Sequence, residues 1–338
     1  MKHFVALTAV ALATIFTTSA TATSKGLTLK GAGSTFVSPL VLTWVQPYES
    51  ATGVHVDYNP VGSGGGIQAI TNRSVDFGAS DAPLTPDQFN ACNGCVQIPW
   101  TASGTSIAYN LSGAPPHLKI TGKVLADIYL GKVKKWNDSA LKKLNPGVSL
   151  PNTDITPIFR SDGSGTTYNF TDYLSKVSPE WKSKAGMGTQ VNFPTGVGGR
   201  GSSGVSAVLS RTNGGITYVD VAFATKNHFS FFSVKNKAGK YQLPGTRQIK
   251  AAMDTVKRVN PDNKISIVDP KGAPLAYPIS TFTYVILRTK SDNASALRKY
   301  VFWGMTSGVK KFGPPLRFLQ VPPVVLSASE KTLKKVQS

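Results

Sequence analysis

The 338-residue sequence contains only two cysteines and four histidines. The histidines are scattered, and no spacing of Cys and His typical of a zinc site occurs. The sequence also lacks the G-x-S-x-G turn of α/β-hydrolases and the Gly-Lys-Ser/Thr of nucleotide phosphate loops. These absences predict a protein without a metal, without a cofactor and without the commonest catalytic machinery.

Long apolar runs are scarce as well, and the one that occurs lies at the N-terminus. Residues 1–22 join one lysine, an apolar stretch and the small-x-small triplet Ala20-Thr21-Ala22, which predicts a signal peptide cleaved before Thr23. The stretch is too short and too rich in threonine for a stable membrane span. No cysteine follows the cleavage region, so we expect an exported protein without a lipid anchor.

Acidic residues are few, 17 against 37 lysines and arginines, and they are unevenly distributed. Residues 226–338 hold 20 basic and 5 acidic side chains, whereas residues 23–118 hold 3 and 5. Lysines such as Lys235, Lys237 and Lys240 alternate with small and polar residues rather than aromatic ones, which favours a solvated surface over a specific nucleic-acid site. Binding of polyanions or of an anionic membrane stays open as an alternative.

Three glycine- and hydroxyl-rich turns each lead from a predicted strand into a predicted helix. They are GAGSTF at 31–36, GSGGG at 62–66 before a short helix at 67–72, and RSDGSGTT at 160–167. Such a turn presents free backbone N–H groups, hydroxyl donors and the positive end of a helix dipole, so it attracts anions. One of them alone would usually be only a helix cap. Three in one chain predict a shared anion site.

Two carboxylates accompany these turns. Asp81 follows a buried strand, at the strand end where ligands of open α/β sheets gather. It could instead cap the next helix, although Thr85 fits that cap better. Asp162 lies within the third turn, where it could hold the Arg160 guanidinium or serve only as a helix cap.

Strands and helices alternate along most of the chain, which predicts α/β architecture. Two strand-like segments, 96–111 and 275–289, connect two predicted lobes. The expected organisation is a signal peptide (1–22), a discontinuous lobe I (23–106 plus 278–338) and an inserted lobe II (107–277).

The order of several strings resembles the periplasmic phosphate-binding proteins of phosphate-specific ABC transporters. These strings are GAGSTF, SGGGIQAI, VDFGASDAPL, DIYLGKVKKWND, KLNPG, RSDGSGTTYNFTDYL, GVGGRG and YPISTFT. The resemblance implies a two-lobed venus-flytrap fold of type II that closes over one dehydrated inorganic phosphate in the interlobe cleft. It also implies a monomeric, non-enzymatic protein of the periplasm, whose partners are the permease and ATPase components of the transporter.

The same resemblance implies phosphate contacts from both lobes. These are Ser34, Thr35, Phe36, Ser63 and Asp81 from the first, and Arg160, Asp162, Ser164, Gly165 and Thr166 from the second. Hydroxyls and backbone amides replace the lost hydration of the anion, and Arg160 adds a bidentate cation that Asp162 fixes. Asp81 can accept the proton that phosphate retains at neutral pH, whereas sulfate has none to offer.

Cys92 and Cys95 form a Cys-x-x-Cys that the resembling family does not require. The intervening Asn93-Gly94 is a turn dipeptide, and residues i and i+3 of a tight turn suit disulfide geometry. Export places the pair in an oxidising compartment. We expect a structural disulfide, with a thioredoxin-like redox role as the alternative.

Two enzyme readings compete with anion binding. The string GVGGRG places Gly196, Gly198 and Gly201 in the dinucleotide pattern, with Asp220 further on, but Pro194-Thr195 interrupts the strand that should precede it. An exported phosphatase is the other alternative, although no nucleophile–base pair is visible.

Overall fold

The computed structural model describes residues 26–338. The predicted signal peptide, residues 1–22, and the expected start of the mature chain at Thr23 lie outside this range. Within it, no helix has both the length and the apolar character required to cross a bilayer.

Strands and helices alternate over most of the described chain. The strands are β1 (Thr28–Gly33), β2 (His55–Asn59), β3 (Phe77–Ser80), β4 (Cys95–Asn110), β5 (Lys119–Ile120), β6 (Thr156–Arg160), β7 (Val197–Gly199), β8 (Gly215–Asp220), β9 (Ser230–Phe231), β10 (Ser233–Lys235), β11 (Tyr241–Gln242) and β12 (Ser280–Arg288). The α-helices are α1 (Ser38–Thr52), α2 (Ser63–Thr71), α3 (Pro86–Cys92), α4 (Gly122–Tyr129), α5 (Ser139–Leu144), α6 (Gly165–Val177), α7 (Pro179–Lys184), α8 (Gly201–Arg211), α9 (Val221–Lys226), α10 (Thr246–Met253), α11 (Ala294–Trp303), α12 (Val309–Phe312) and α13 (Pro323–Leu333).

The first lobe is built on the strand order β2-β1-β3-β12-β4. Strands β1, β2 and β3 are parallel, and β12 runs antiparallel to both β3 and β4. All four residues of β3 are buried, because helices cover both faces of a parallel sheet. The carboxyl ends of β1 and β3 therefore open at the same edge.

The second lobe continues from the same long strand in the order β4-β8-β6-β7. Residues up to Gly104 of β4 pair with β12, and those from Thr105 onward pair with β8. At this change of partner, the Thr105 amide donates to the Ile279 carbonyl and its own carbonyl accepts from the Tyr277 hydroxyl, at 2.8 and 2.7 Å. The predicted alternation and two-lobed α/β class are confirmed, and both predicted connections contain a strand.

Each lobe has an aromatic core. In the first, the Trp44 ring centroid lies 5.4 Å from that of Trp100 and 6.4 Å from that of Tyr300. In the second, Phe170 stacks on Tyr218 at 4.2 Å. These rings bury the apolar faces of α1 and α6 and so fix the positions of both helices. Two of the predicted anion-binding turns lead into these helices.

Residues 246–268, which fall in the predicted second lobe, pack on strands and helices of the first. Met253 and Ile267 belong to a cluster with Phe282 of β12. The Asn263 amide donates to the Gln97 carbonyl at 2.8 Å. The lobe boundaries at 106/107 and 277/278 remain a prediction.

Helix α2 differs from its predicted extent. Helix α2 begins at Ser63, not at Ile67, so the three glycines form its first turns. A Cβ on Gly66 would lie 2.4 Å from the Gly33 Cα, so glycine is what allows this close packing against β1. Helix α1 continues past Pro47 to Thr52, with Tyr48 buried.

The Cys92 and Cys95 sulfurs are bonded in the structure, with Cα atoms 5.6 Å apart. Asn93 and Gly94 between them both adopt positive φ, as a tight turn requires. The bond joins the end of α3 to the start of β4.

We expect the native protein to contain no free thiol, because the turn holds the two cysteines at bonding distance. Thiol titration of the unfolded protein, purified without reductant, measures this. Two titratable thiols per chain would contradict the structural disulfide, and reduction before titration provides the control.

Candidate functional site

The predicted anion-binding residues converge at one place between the lobes. Ser34, Thr35 and Phe36 follow β1, Asp81 follows β3, and Arg160 ends β6. Ser63 and Gly165 are the first residues of α2 and α6. All ten predicted residues are buried except Asp162, which is partly exposed.

Asp81 is a buried carboxylate whose contacts come from both lobes. Its side chain accepts the Ser34 hydroxyl, which lies 2.7 Å from both carboxylate oxygens. Its backbone carbonyl accepts from the Asn169 amide of α6 at 3.0 Å. Ser34 Oγ in turn accepts the Phe36 amide at 3.0 Å. Ser34 thus faces the carboxylate and orients it, which the sequence alone did not indicate.

The Ser63 and Thr35 hydroxyls accept hydrogen bonds from backbone amides. Ser63 Oγ accepts the amides of Asp81 and Gly165, at 3.2 and 3.0 Å. Thr35 Oγ1 accepts the Ser202 amide at 3.2 Å. A hydroxyl has one donor and two acceptor positions, so occupied lone pairs direct its proton elsewhere. Both acceptor positions of Ser63 are occupied, so its proton is free to donate to an oxyanion. The Thr35 hydroxyl also lies 3.0 Å from the Ser202 hydroxyl, and either of these two can donate to the other.

Arg160 is a buried cation held in a fixed orientation. Its Nε and Nη2 atoms donate to the two oxygens of Asp162, at 2.7 and 2.5 Å. The Gly201 amide also donates to Asp162, at 2.9 Å. Ser164, and not Asp162, caps α6 by accepting the Thr167 amide at 3.1 Å. The arrangement fixes the Arg160 fork and offsets its charge.

Glycines allow the two lobes to touch around these residues. The Gly64 amide donates to the Gly163 carbonyl at 2.8 Å. A Cβ on Gly62 would lie 2.4 Å from Oδ2 of Asp162, and one on Gly165 would lie 2.7 Å from the amide nitrogen of Asp81. The structure is therefore a closed one, in which side chains at these positions would keep the lobes apart.

The two carboxylates have opposite electrostatic surroundings. Burial raises the pKa of Asp81 to about 6, although the Ser34 hydrogen bond lowers it in part. Burial also acts to raise the pKa of Asp162, but the hydrogen bonds and charge of Arg160 outweigh it and leave that pKa below its usual value. At neutral pH Asp81 is therefore mainly an acceptor, and below about pH 6 it gains a proton.

Comparison with known proteins agrees with this geometry. A PBP superfamily domain matches residues 17–307. The chain is 37% identical to the phosphate-binding protein PstS of Xylella fastidiosa, over 91% of this chain and 85% of that protein. It is also 37% identical to the PstS of Pasteurella multocida, over 98% and 94% of the two chains. The chain belongs to the PstS family.

Solved structures show that the PstS-family chain has the type II binding-protein fold. A high-affinity periplasmic phosphate-binding protein, solved with phosphate, superposes with a TM-score of 0.69 at 20% identity, covering 90% of this chain and 92% of that one. A substrate-binding protein of a phosphate ABC transporter from Clostridium perfringens gives 0.64 at 15% identity, covering 87% and 100%. At these identities the likeness concerns the fold.

Three polar residues of this PstS-family site were not predicted. The Ser202 hydroxyl lies 3.0 Å from that of Thr35, and the Tyr218 hydroxyl accepts the Arg160 amide at 3.0 Å. Asn169 contacts Asp81 from α6. Ser202 had a sequence signal, because GGRGSS is a fourth strand–glycine–helix turn like the other three.

The dinucleotide pattern in GVGGRG has a different role in the structure. Gly196 precedes β7, Gly198 lies within it and only Gly201 begins a helix, so the three glycines of the dinucleotide pattern do not share one loop. Asp220 caps α9 by accepting the Phe223 amide at 2.9 Å.

Proposed function

We propose that this protein binds inorganic phosphate in the closed cleft and delivers it to an ABC-type phosphate importer. The buried pair of Asp81 and Arg160 carries the proposal. Arg160 attracts an oxyanion, while ionised Asp81 needs a partner that supplies a proton. A small oxyanion that still carries one proton satisfies both.

The ten predicted residues take distinct parts in this proposal. Thr35 and Ser63 donate hydroxyl protons from the first lobe. Phe36 contributes the polarity of its backbone N–H, just before α1. Arg160 binds the anion as a cation, with Ser164, Gly165 and Thr166 offering donors at the start of α6. Ser34 orients Asp81, and Asp162 orients Arg160.

The relatives named above are all phosphate-binding proteins, which supports binding and transport over an exported phosphatase. We infer a monomer that acts in the periplasm after removal of residues 1–22, with its lobes divided near 106/107 and 277/278. Its partners are the permease and ATPase of the importer. The basic residues of 226–338 then speed the encounter with a small anion.

Calorimetry of the mature protein, freed of carried-over phosphate by unfolding and refolding, tests this function. We expect one phosphate bound per chain, no heat from sulfate, and competition by arsenate, which has the same shape and protonation. Absence of phosphate binding would overturn the proposal. Steeply salt-dependent binding to DNA or anionic vesicles, without binding of free phosphate, would instead support the polyanion alternative.

A further inference from the structure

Asp220 is a second buried carboxyl beside the cleft, and the proposed phosphate contacts do not use it. It ends β8 and is fully buried. One oxygen caps α9 through the Phe223 amide, while Oδ2 has no hydrogen-bond partner among residues 26–338. The Ser202 hydroxyl is close enough to lower the pKa of this carboxyl, but it forms no hydrogen bond with it in the structure. Ser202 also contacts Thr35, a proposed phosphate ligand. Ser202 therefore lies between Asp220 and that ligand.

Its surroundings disfavour a negative charge. Burial is the main cause that raises the pKa of Asp220 well above its usual value, and the charge of Asp81 across the cleft raises it further. Its cross-strand neighbour on β4 is Thr105, and Ser206 lies one turn beyond Ser202 on α8. Within the described chain, both of these hydroxyls are buried without a partner. A protonated carboxyl suits such a setting, since an ionised one would need compensation.

We propose that Asp220 is a positioning residue that, in its protonated form, donates to Ser202 and thereby turns the Thr35 hydroxyl proton toward the bound anion. This inference rests on the proposed phosphate-binding function.

The direction of the hydrogen bonds follows from counting protons. When Asp220 donates to Ser202 Oγ, the single Ser202 hydroxyl proton is free to be donated to Thr35 Oγ1. Thr35 Oγ1 already accepts the Ser202 amide, so both its lone pairs are then occupied and its proton points into the cleft. An ionised Asp220 would instead accept the Ser202 proton. Ser202 would then accept from Thr35, and the anion would lose a donor.

The test measures phosphate affinity by calorimetry for Asp220→Ala, Asp220→Asn, Ser202→Ala and the Asp220→Ala/Ser202→Ala double variant. We expect either single alanine change to weaken phosphate binding about tenfold, which is the contribution of one hydrogen bond. The double variant should bind phosphate no more weakly than the single variant with the lower affinity. Asparagine keeps a donor and the cap to Phe223, so Asp220→Asn should stay within about threefold of wild type. Ser206→Ala removes a similar buried hydroxyl that does not contact Thr35, and it should leave the affinity unchanged.

The pH profile separates positioning from mere structural support. Wild-type affinity should fall on the alkaline side as Asp220 loses its proton, while Asp220→Asn should show no such fall. Equal losses in the asparagine and alanine variants, additive losses in the double variant, or identical alkaline profiles would overturn the inference. If Asp220→Ala does not fold, the phosphate affinity of Ser202→Ala and the pH profile of Asp220→Asn test the inference. Failure of wild type to bind phosphate would instead refute the proposed function.

Discussion

Replacing Asp81 with asparagine should remove most of the discrimination between phosphate and sulfate while phosphate binding persists. The amide keeps the shape of the carboxylate and can still accept the Ser34 proton. It also gains N–H donors and loses the charge that repels a fully ionised oxyanion. Phosphate should lose about 1–3 kcal/mol of binding free energy with its charge-assisted bond, whereas sulfate gains a donor.

Arg160→Ala is the matched control for this prediction. Loss of the guanidinium should weaken the binding of every oxyanion and leave the order of their affinities unchanged. The guanidinium recognises the negative charge of the anion and not its proton. Calorimetry with phosphate and sulfate gives the affinity ratio for wild type and both variants. An unchanged phosphate-to-sulfate affinity ratio in Asp81→Asn would mean that Asp81 does not distinguish the two anions by accepting a hydrogen bond from the proton of phosphate.

Gly165→Ala should weaken phosphate binding by preventing closure. Its Cβ would lie 2.7 Å from the Asp81 amide nitrogen and 2.8 Å from that of Ala82, and neither backbone atom can move aside easily. The backbone N–H of residue 165 survives the change, so the loss arises from sterics and not from a missing donor. Overlap of this kind costs about 1–3 kcal/mol, which corresponds to a loss of affinity of about fivefold to 150-fold.

Small-angle scattering with and without saturating phosphate distinguishes this cause from others. Wild type should become more compact with phosphate, because its donors come from both lobes, and Gly165→Ala should remain extended. Gly163→Ala offers a graded control, since its Cβ would lie 3.2 Å from the Gly64 Cα and needs only a small adjustment. Identical wild-type profiles with and without phosphate would contradict closure, and wild-type affinity in Gly165→Ala would contradict the steric argument.

Local chemistry explains why much of the site could be predicted from the sequence. Each glycine and hydroxyl turn depends on neighbours within a few residues, and so does the Thr85 cap, which accepts the Gln88 amide as expected. The pairing of Arg160 with Asp162 spans only two residues. The alternation of strands and helices predicts that such turns end at one edge of a sheet.

The remaining features depend on which segments meet in space, and no periodicity encodes that. Ser34 lies 47 residues from Asp81, and Ser202 lies 167 residues from Thr35. The early start of α2 follows from the contact of Gly66 with β1, because loss of a side chain permits a helix where propensity disfavours one. The packing of residues 246–268 on the first lobe likewise reflects partners distant in sequence, including Gln97.

Strand β4 has a consequence for how the protein loses its structure. Its first part completes one sheet and its last part begins the other, without a break in the chain. Two globular halves joined by flexible tethers can melt at separate temperatures. Here, displacing the middle of β4 at residues 104 and 105 removes ladder hydrogen bonds from both halves. The strand therefore couples their melting into one cooperative event, and any ligand that holds the halves together protects both from unfolding.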